Sequence, residues 1–436
     1  MIRALATAVA LAMTGPARAE IGITPVTSPG GVTAWLYEAR TVPILTIEAS
    51  FQGGSALDPA GAEGVARLMT ALLDQGSGDL DATGFAEARE DLAARIGFSA
   101  SRDEVKVSVT MLAEKRDATI DLVRAALLSP RFDTEAVERV RRRTLSSIRR
   151  SETEPRSVAG LAFRSAAFAG HPYGRPLDGT IESVSALDAA ALRGAHAAAF
   201  ARDRLRVAVV GAISPDELGP VLDRLFGALP ASGPALPDVA SPVMSGQTTV
   251  IALDIPQSVV TFGHGGIARS DPDFVAAVVL DHVLGGGGFS SRLMREMREV
   301  RGLTYGVRTN LAPGDFGSLY TGSFSTANAR VAEAIGLVRA EWARMSETGV
   351  TEAELTQAKR YLTGEYPLRF DGNARIAGQL LGLQTAGLDI GYVNIRNDLV
   401  EAVRAEDVAR VARRLLRPEL LTMVVVGKPE GLAAGN

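Results

Sequence analysis

The sequence predicts an α+β fold built from two copies of one unit. Segments that read alike recur in the same order at nearly the same offset along 436 residues. Strand and helix patterns come in blocks rather than in strict alternation, which favours mixed sheets packed on helices over a doubly wound parallel sheet. Between the copies, "GALPASGPALPDVASPVMSG" (Gly227 to Gly246) carries four prolines and predicts an extended, exposed linker.

The chain opens as a secretion signal in miniature. Arg3 supplies the positive end, Ala4 to Thr14 is a short apolar run, and Ala17-Arg18-Ala19 fits a small-residue cleavage site. That run is about half of the ~20 residues a membrane span needs; an uncleaved N-terminal anchor is the alternative. Residues 1–19 are therefore read as a signal peptide, which predicts export, with the periplasm as the expected compartment. No later segment is apolar for long enough to span a bilayer. The expected organisation is 20–229 for the first unit, 230–246 for the linker and 247–436 for the second unit.

Strand patterns fall at Ile44–Phe51, Glu104–Met111 and Leu205–Val210. "GVARLMTALLDQGS" from Gly64 starts as a buried helix, with Val65, Leu68, Met69, Leu72 and Leu73 at helical spacing. "FDTEAVERVRRRTLSSIRRSETE" is the clearest helix, with Thr134 as its cap. Three pairs carry the duplication. "LRVAVVGAIS" from Leu205 matches "LTMVVVGKPE" from Leu421, 216 residues on. Thr134-Glu135-Ala136 matches Thr351-Glu352-Ala353 at 217, and the stretch from Phe51 matches that from Phe262 at 211.

Composition narrows the chemistry. With no cysteine, disulfides, thiol catalysis and thiolate metal sites are excluded. A net charge of −4 with mixed signs argues against a nucleic-acid partner. The four histidines, His171, His196, His264 and His282, never fall at the three- or four-residue spacing that puts two ligands on one helix face. They read as structural. The 50 acidic residues form no recognisable catalytic pair.

"FQGGSALDP" before "GVARLMTALLDQGS", then "HPYGRPLDGTIESVSAL" from His171, and "LGGGGFSSRLMREMREVRGLTYGV" from Leu284 resemble the pitrilysin-like (insulinase-type) zinc peptidases. The resemblance runs in order over nearly all of the chain beyond residue 19. It implies two homologous domains, each a mostly antiparallel sheet packed against helices, with two such units closing around a peptide chamber. Active members carry His-x-x-Glu-His where the "GVARLMTALL" helix lies, two histidines binding zinc and the glutamate acting on zinc-bound water. Here Arg67 and Ala71 take the histidine positions, Thr70 that of the glutamate, and Ser147 that of the third ligand. A methyl group cannot ligate metal, a guanidinium is itself a cation, and a threonine hydroxyl is no base near neutral pH. The zinc site is degenerate.

A second feature survives. The resemblance puts the substrate-contacting arginine and tyrosine of active units at Arg298 and Tyr305, seven residues apart in "REVRGLTY". Such a pair, aimed at the carbonyl under attack, stabilises developing negative charge. Arg298 also reads as one of a charged surface run with Arg295, Glu296 and Arg301, and Arg301 is its competitor. Tyr305 equally reads as a strand aromatic before Val307 and Thr309. The run Gly285–Gly288 lacks a P-loop's Lys-Ser/Thr and reads as a sharp turn into a helix capped at Ser290 or Ser291.

Together these imply a non-catalytic subunit of a heterodimeric zinc peptidase, with zinc on a partner chain bearing His-x-x-Glu-His. The expected partners are that chain and a peptide substrate. The alternative is a peptide-binding or scaffold protein of the same fold without a proteolytic role.

Overall fold

The computed structural model describes residues 21–432. The expected signal peptide lies outside them. Two sheets repeat one topology. In the first half, β1 (Thr24–Thr27), β2 (Thr33–Glu38) and β3 (Ile44–Gln52) precede a two-stranded ribbon, β4 (Gly76–Ser77) and β5 (Leu80–Asp81). Then come β6 (Arg95–Ala100), β7 (Glu104–Leu112) and β8 (Leu205–Gly211). The large sheet runs β1-β2-β8-β3-β7-β6, antiparallel except for β2 beside β8. In the second half, β9 (Thr248–Ala252), β10 (Gln257–Gly265), β11 (Val307–Ala312), β12 (Leu319–Ala327) and β13 (Thr422–Gly427) run β11-β12-β10-β13-β9. Here β9 beside β13 is the parallel pair. Without β1 the two strand orders are the same, so the duplication read from sequence is a duplication of fold.

The central strands are buried on both faces, as their continuous apolar runs require. All six residues of β13 are buried, and all but the second of seven in β8. Strand β7, by contrast, alternates strictly between buried and half-buried positions.

What covers the second face of each sheet comes from the other half. The Pro155–Ala167 helix lays Ala159, Phe163 and Ala167 against Val259, Val424 and Val426 of the second sheet. The Asn373–Thr385 helix returns the arrangement, setting Ile376, Ala377 and Leu380 on Ala208 and Val210 of the first. Gln384 donates to the Val207 carbonyl at 2.8 Å and fixes its register. The linker is extended as expected but pinned: the Ala240 N–H bonds the Phe316 carbonyl at 2.9 Å and the Val243 N–H the Ala167 carbonyl at 2.8 Å.

Two local expectations are corrected. Thr134 lies inside the Thr134–Ser151 helix, whose N-cap is Asp133; its counterpart Thr351 does cap the Glu352–Glu365 helix, in a reciprocal box with Glu354. The helix from Gly64 spans only Val65–Thr70, although Val65, Leu68, Met69, Leu72 and Leu73 are all buried. Among the described residues no helix is long and apolar enough to cross a membrane.

Candidate functional site

The Val65–Thr70 helix is held from its N-terminal end. Both oxygens of Asp58 accept backbone N–H groups, from Gly64 at 2.8 Å and Ala66 at 3.1 Å. Arg175 of the "HPYGRP" loop donates to the Asp58 carbonyl at 2.9 Å. Gly64, at φ +88°, and Gly179, at φ +79°, let the two backbones touch: a Cβ on Gly64 would come within 2.5 Å of the Asp178 carbonyl, and one on Gly179 within 2.2 Å of the Glu63 carbonyl. Changing Gly179 to alanine is expected to cost more than about 2 kcal/mol, from strain at positive φ plus the backbone clash. The urea midpoint reads this directly.

At the first histidine position the chain holds an internal ion pair. Arg67 Nε donates to Asp178 at 2.9 Å and its Nη1 to the Ala100 carbonyl at 3.1 Å. Thr70 is buried, its hydroxyl donating back to the Arg67 carbonyl at 3.1 Å. Ala71 closes the helix, and Ser147 is exposed on the Thr134–Ser151 helix. A guanidinium, a methyl group and two hydroxyls do not fit a zinc ion. Among the described residues no group of three metal-binding side chains occurs anywhere. With Arg67 and Asp178 both about half exposed, the pair contributes at most about 1 kcal/mol; its effect is to place a cation where a metal would have to sit.

The histidines have local partners. His264 is buried: Trp342 Nε1 donates to its Nε2 at 2.9 Å while its Nδ1 donates to the Gly265 carbonyl at 2.7 Å, so burial keeps the ring neutral. His171 accepts from the Tyr173 N–H at 3.2 Å, and His196 lies 3.0 Å from the Leu127 carbonyl. His282, buried against Tyr361, leaves Nε2 without a hydrogen-bond partner among the described residues. The loop after His171 joins the halves, since buried Tyr173 donates to Asp103 and accepts the Phe316 N–H at 3.0 Å.

The segment from Leu284 is anchored at one end and open at the other. Arg292 is buried and bidentate to Glu354, at 2.7 Å for each bond. Ser291, of the two candidate caps, accepts the Met294 N–H. The glycine run serves close packing more than turning: a Cβ on Gly285 would meet Thr309 at 2.5 Å and one on Gly286 would meet Asp281 at 2.4 Å. Beyond Arg292 the chain passes through a π-helical turn, Arg295–Val300, an irregularity frequent at functional sites. Arg301 pairs with Glu296 at 2.6 Å. Arg298 has no such acid among the described residues; its guanidinium lies over the exposed Phe289 ring, 4.6 Å from the centroid. Tyr305 precedes β11 rather than lying in it, and is 86% exposed.

Two family models match the chain, "Insulinase (Peptidase family M16)" over residues 36–181 and "Peptidase M16 inactive domain" over 186–362. The chain belongs to peptidase family M16. It is similar to the non-peptidase homolog YmxG of Helicobacter pylori, 28% identical over 76% of this chain and 77% of that protein. An uncharacterized zinc protease of Mycobacterium leprae is 29% identical over 91% of this chain and 89% of the other. A crystal structure described as the peptidase M16 inactive domain from Pseudomonas fluorescens superposes with TM-score 0.88 at 28% identity, covering 95% of this chain and all of that one. The mitochondrial-processing peptidase subunit beta of Lentinula edodes is 22% identical over 93% of this chain and 90% of its own. The α+β reading and the two M16-type domains stand on these matches together with the duplicated topology.

Sequence reasoning missed Asp178 as the partner of Arg67, although "PLDG" was in view, because nothing in a linear motif says which carboxylate folds back onto a helix. It also missed the charge states. Burial pushes the Asp58 carboxyl up to about 7, against the pull of its two N–H donors, and burial with neighbouring Asp315 pushes Asp103 up to about 6. Such groups keep a proton in the folded chain that the unfolded chain has released. Their stabilisation is complete below about pH 4 and is lost as pH rises through 6 to 7. Glu354 runs the other way: against partial burial, Arg292 and the Thr351 N–H hold it at about 2, so its contribution is lost as pH falls below about 4.5. The melting temperature is therefore expected to rise as pH drops from 8 to about 5 and to fall again below about 4, measurable by circular dichroism across that range.

Proposed function

We propose that this chain is the non-catalytic subunit of an exported heterodimeric zinc peptidase. It closes a peptide chamber and presents Arg298 and Tyr305 to substrate held at the zinc of a partner chain carrying His-x-x-Glu-His. The observation that carries the reading is the contrast within one molecule. Arg67, Thr70, Ala71 and Ser147 offer no metal site, while Arg298 carries no carboxylate partner among the described residues and stands on exposed Phe289, and Tyr305 is almost fully exposed. An arginine and a phenol left free in this way can donate to a carbonyl oxygen as it gains charge. The relatives support the reading in their printed descriptions: one is a non-peptidase homolog, another a subunit of a processing peptidase.

The signal-peptide reading of residues 1–19 supports export, with the periplasm as the proposed compartment. The test is affinity purification of the tagged chain from its native envelope fraction, with partners identified by mass spectrometry. Recovery of a similarly sized chain bearing His-x-x-Glu-His is expected. Recovery of the protein alone, or within an unrelated assembly, would favour the peptide-binding or scaffold alternative.

A further inference from the structure

Beside the degenerate helix lies a concentration of charge that the Arg298/Tyr305 reading does not use. A cavity of about 640 Å³ opens where the Thr134–Ser151 helix gives way to the Pro155–Ala167 helix, with the Pro176–Thr180 segment as its far wall. Arg102, Arg156 and Arg164 reach it. Among the described residues none of these three side chains makes an ion pair or donates a hydrogen bond, and Arg102 Nε is buried with no partner at all.

The acids nearby are already engaged or at the rim. Asp178 is taken by Arg67, Glu154 caps the next helix by accepting the Ser157 N–H at 2.6 Å, and Glu152 is exposed. Asp103, which acts on both Arg102 and Arg164 from longer range, accepts the Tyr173 hydroxyl. Burial first and the charge of Arg102 second push Arg164 down to about 10. Two half-buried guanidiniums held near each other, with open donors and no dedicated carboxylate, leave room for an anion, and the fork of each suits a carboxylate.

Beside these polar groups the cavity has an apolar patch formed by Ile148, Val158, Leu161 and Leu177, with Leu161 41% exposed. Arg156 also lines a second cavity, of about 260 Å³, bounded by Phe289, Met294, Gly306 and Val307. The two cavities therefore adjoin, and the second reaches the residues flanking Arg298 and Tyr305.

We infer that the arginine cleft is a docking site for an acidic peptide segment, whose side-chain carboxylate is taken by Arg102 and Arg164 while its apolar neighbours lie on Ile148, Leu161 and Leu177. The inference rests on the peptide-chamber reading for its ligand class and on charge complementarity for its location. It adds a sequence preference: an acidic residue flanked by apolar ones, carried toward the Phe289 cavity along Arg156.

The test uses the full chain alone, with a fluorescent, C-terminally amidated peptide containing Leu-Glu-Leu and its Leu-Gln-Leu counterpart, followed by fluorescence anisotropy. The acidic peptide is expected to bind at least 10-fold tighter at 50 mM salt, with the preference shrinking at 500 mM as the charges are screened. The R102M/R164M double variant, which keeps an unbranched apolar stem while removing both guanidiniums and their mutual repulsion, is expected to erase the preference. R156Q, at an exposed position, is expected to weaken it and guards against a folding failure in the first variant. Equal binding of the two peptides, or a preference untouched by all three substitutions, would overturn the inference. So would displacement of the peptide by millimolar phosphate with no dependence on the flanking leucines, which would mark a site for free anions. Because no partner chain is present, loss of this preference leaves the supporting-subunit reading intact, and failure to find a zinc-bearing partner leaves this binding result intact.

Discussion

Replacing Arg298 and Tyr305 together by alanine is expected, on the proposed supporting-subunit function, to lower kcat of the complex with a zinc-bearing partner by about 100-fold or more. That is the scale on which removing a donor to a developing oxyanion acts. The substitution is expected to leave folding and assembly unchanged. Tyr305 is 86% exposed, and the Arg298 guanidinium lies over the exposed Phe289 ring with no ion pair among the described residues, so neither side chain belongs to the buried core. Y305F alone removes the hydroxyl and keeps the ring, and is expected to reproduce much of the tyrosine's share. R301A serves as the control, since Arg301 is occupied by Glu296. Steady-state kinetics on the reconstituted complex separates the outcomes. Full activity in the double alanine variant would remove the substrate-contacting role and leave a scaffold.

Trp342→Ala is expected to be the most damaging single change to the second half, lowering stability by about 3–5 kcal/mol in a urea titration. Trp342 has no exposed surface, and its ring packs against Phe262 and Tyr320 at centroid distances of 5.8 and 5.1 Å. It also supplies the hydrogen bond that His264 Nε2 accepts. Trp342→Phe keeps most of the apolar volume but leaves that buried nitrogen without a donor. A smaller loss of about 1–3 kcal/mol is expected, and the difference between the variants isolates the packing term.

The fold was legible because its strongest signals are periodic and repeated. Strands β3, β7 and β8 each extend one residue past the run read from sequence. Two of the three matched segments fall on equivalent strands, β3 with β10 and β8 with β13, and the third opens a helix in each half, so the repeat in sequence became a repeat in the fold. What sequence could not give was the partner of each apolar face. The Pro155–Ala167 helix, for one, finds its cover in the sheet of the other half, more than 90 residues away at Val259. An amphipathic pattern says that a face is covered, never by what.

The same limit governs the site. Arg67, Thr70, Ala71 and Ser147 could be read as unfit for zinc from side-chain chemistry alone. That Asp178 and the Ala100 carbonyl would hold the Arg67 guanidinium could not, because both lie far along the chain from it. Glu296 distinguishes Arg301 from Arg298 only once the π-helical turn brings it within 2.6 Å of the former. The three arginines of the cleft come from a strand-connecting turn and one helix, and no short motif marks them. Residue chemistry was readable one position at a time; pairing required the fold.

The most direct test of the account is to measure bound zinc and peptide hydrolysis for the purified chain alone and again after mixing with a His-x-x-Glu-His partner from the same envelope. No retained zinc and no chelator-sensitive hydrolysis are expected for the chain alone, with activity appearing on mixing above that of the partner by itself. Chelator-sensitive cleavage by the isolated chain would contradict it.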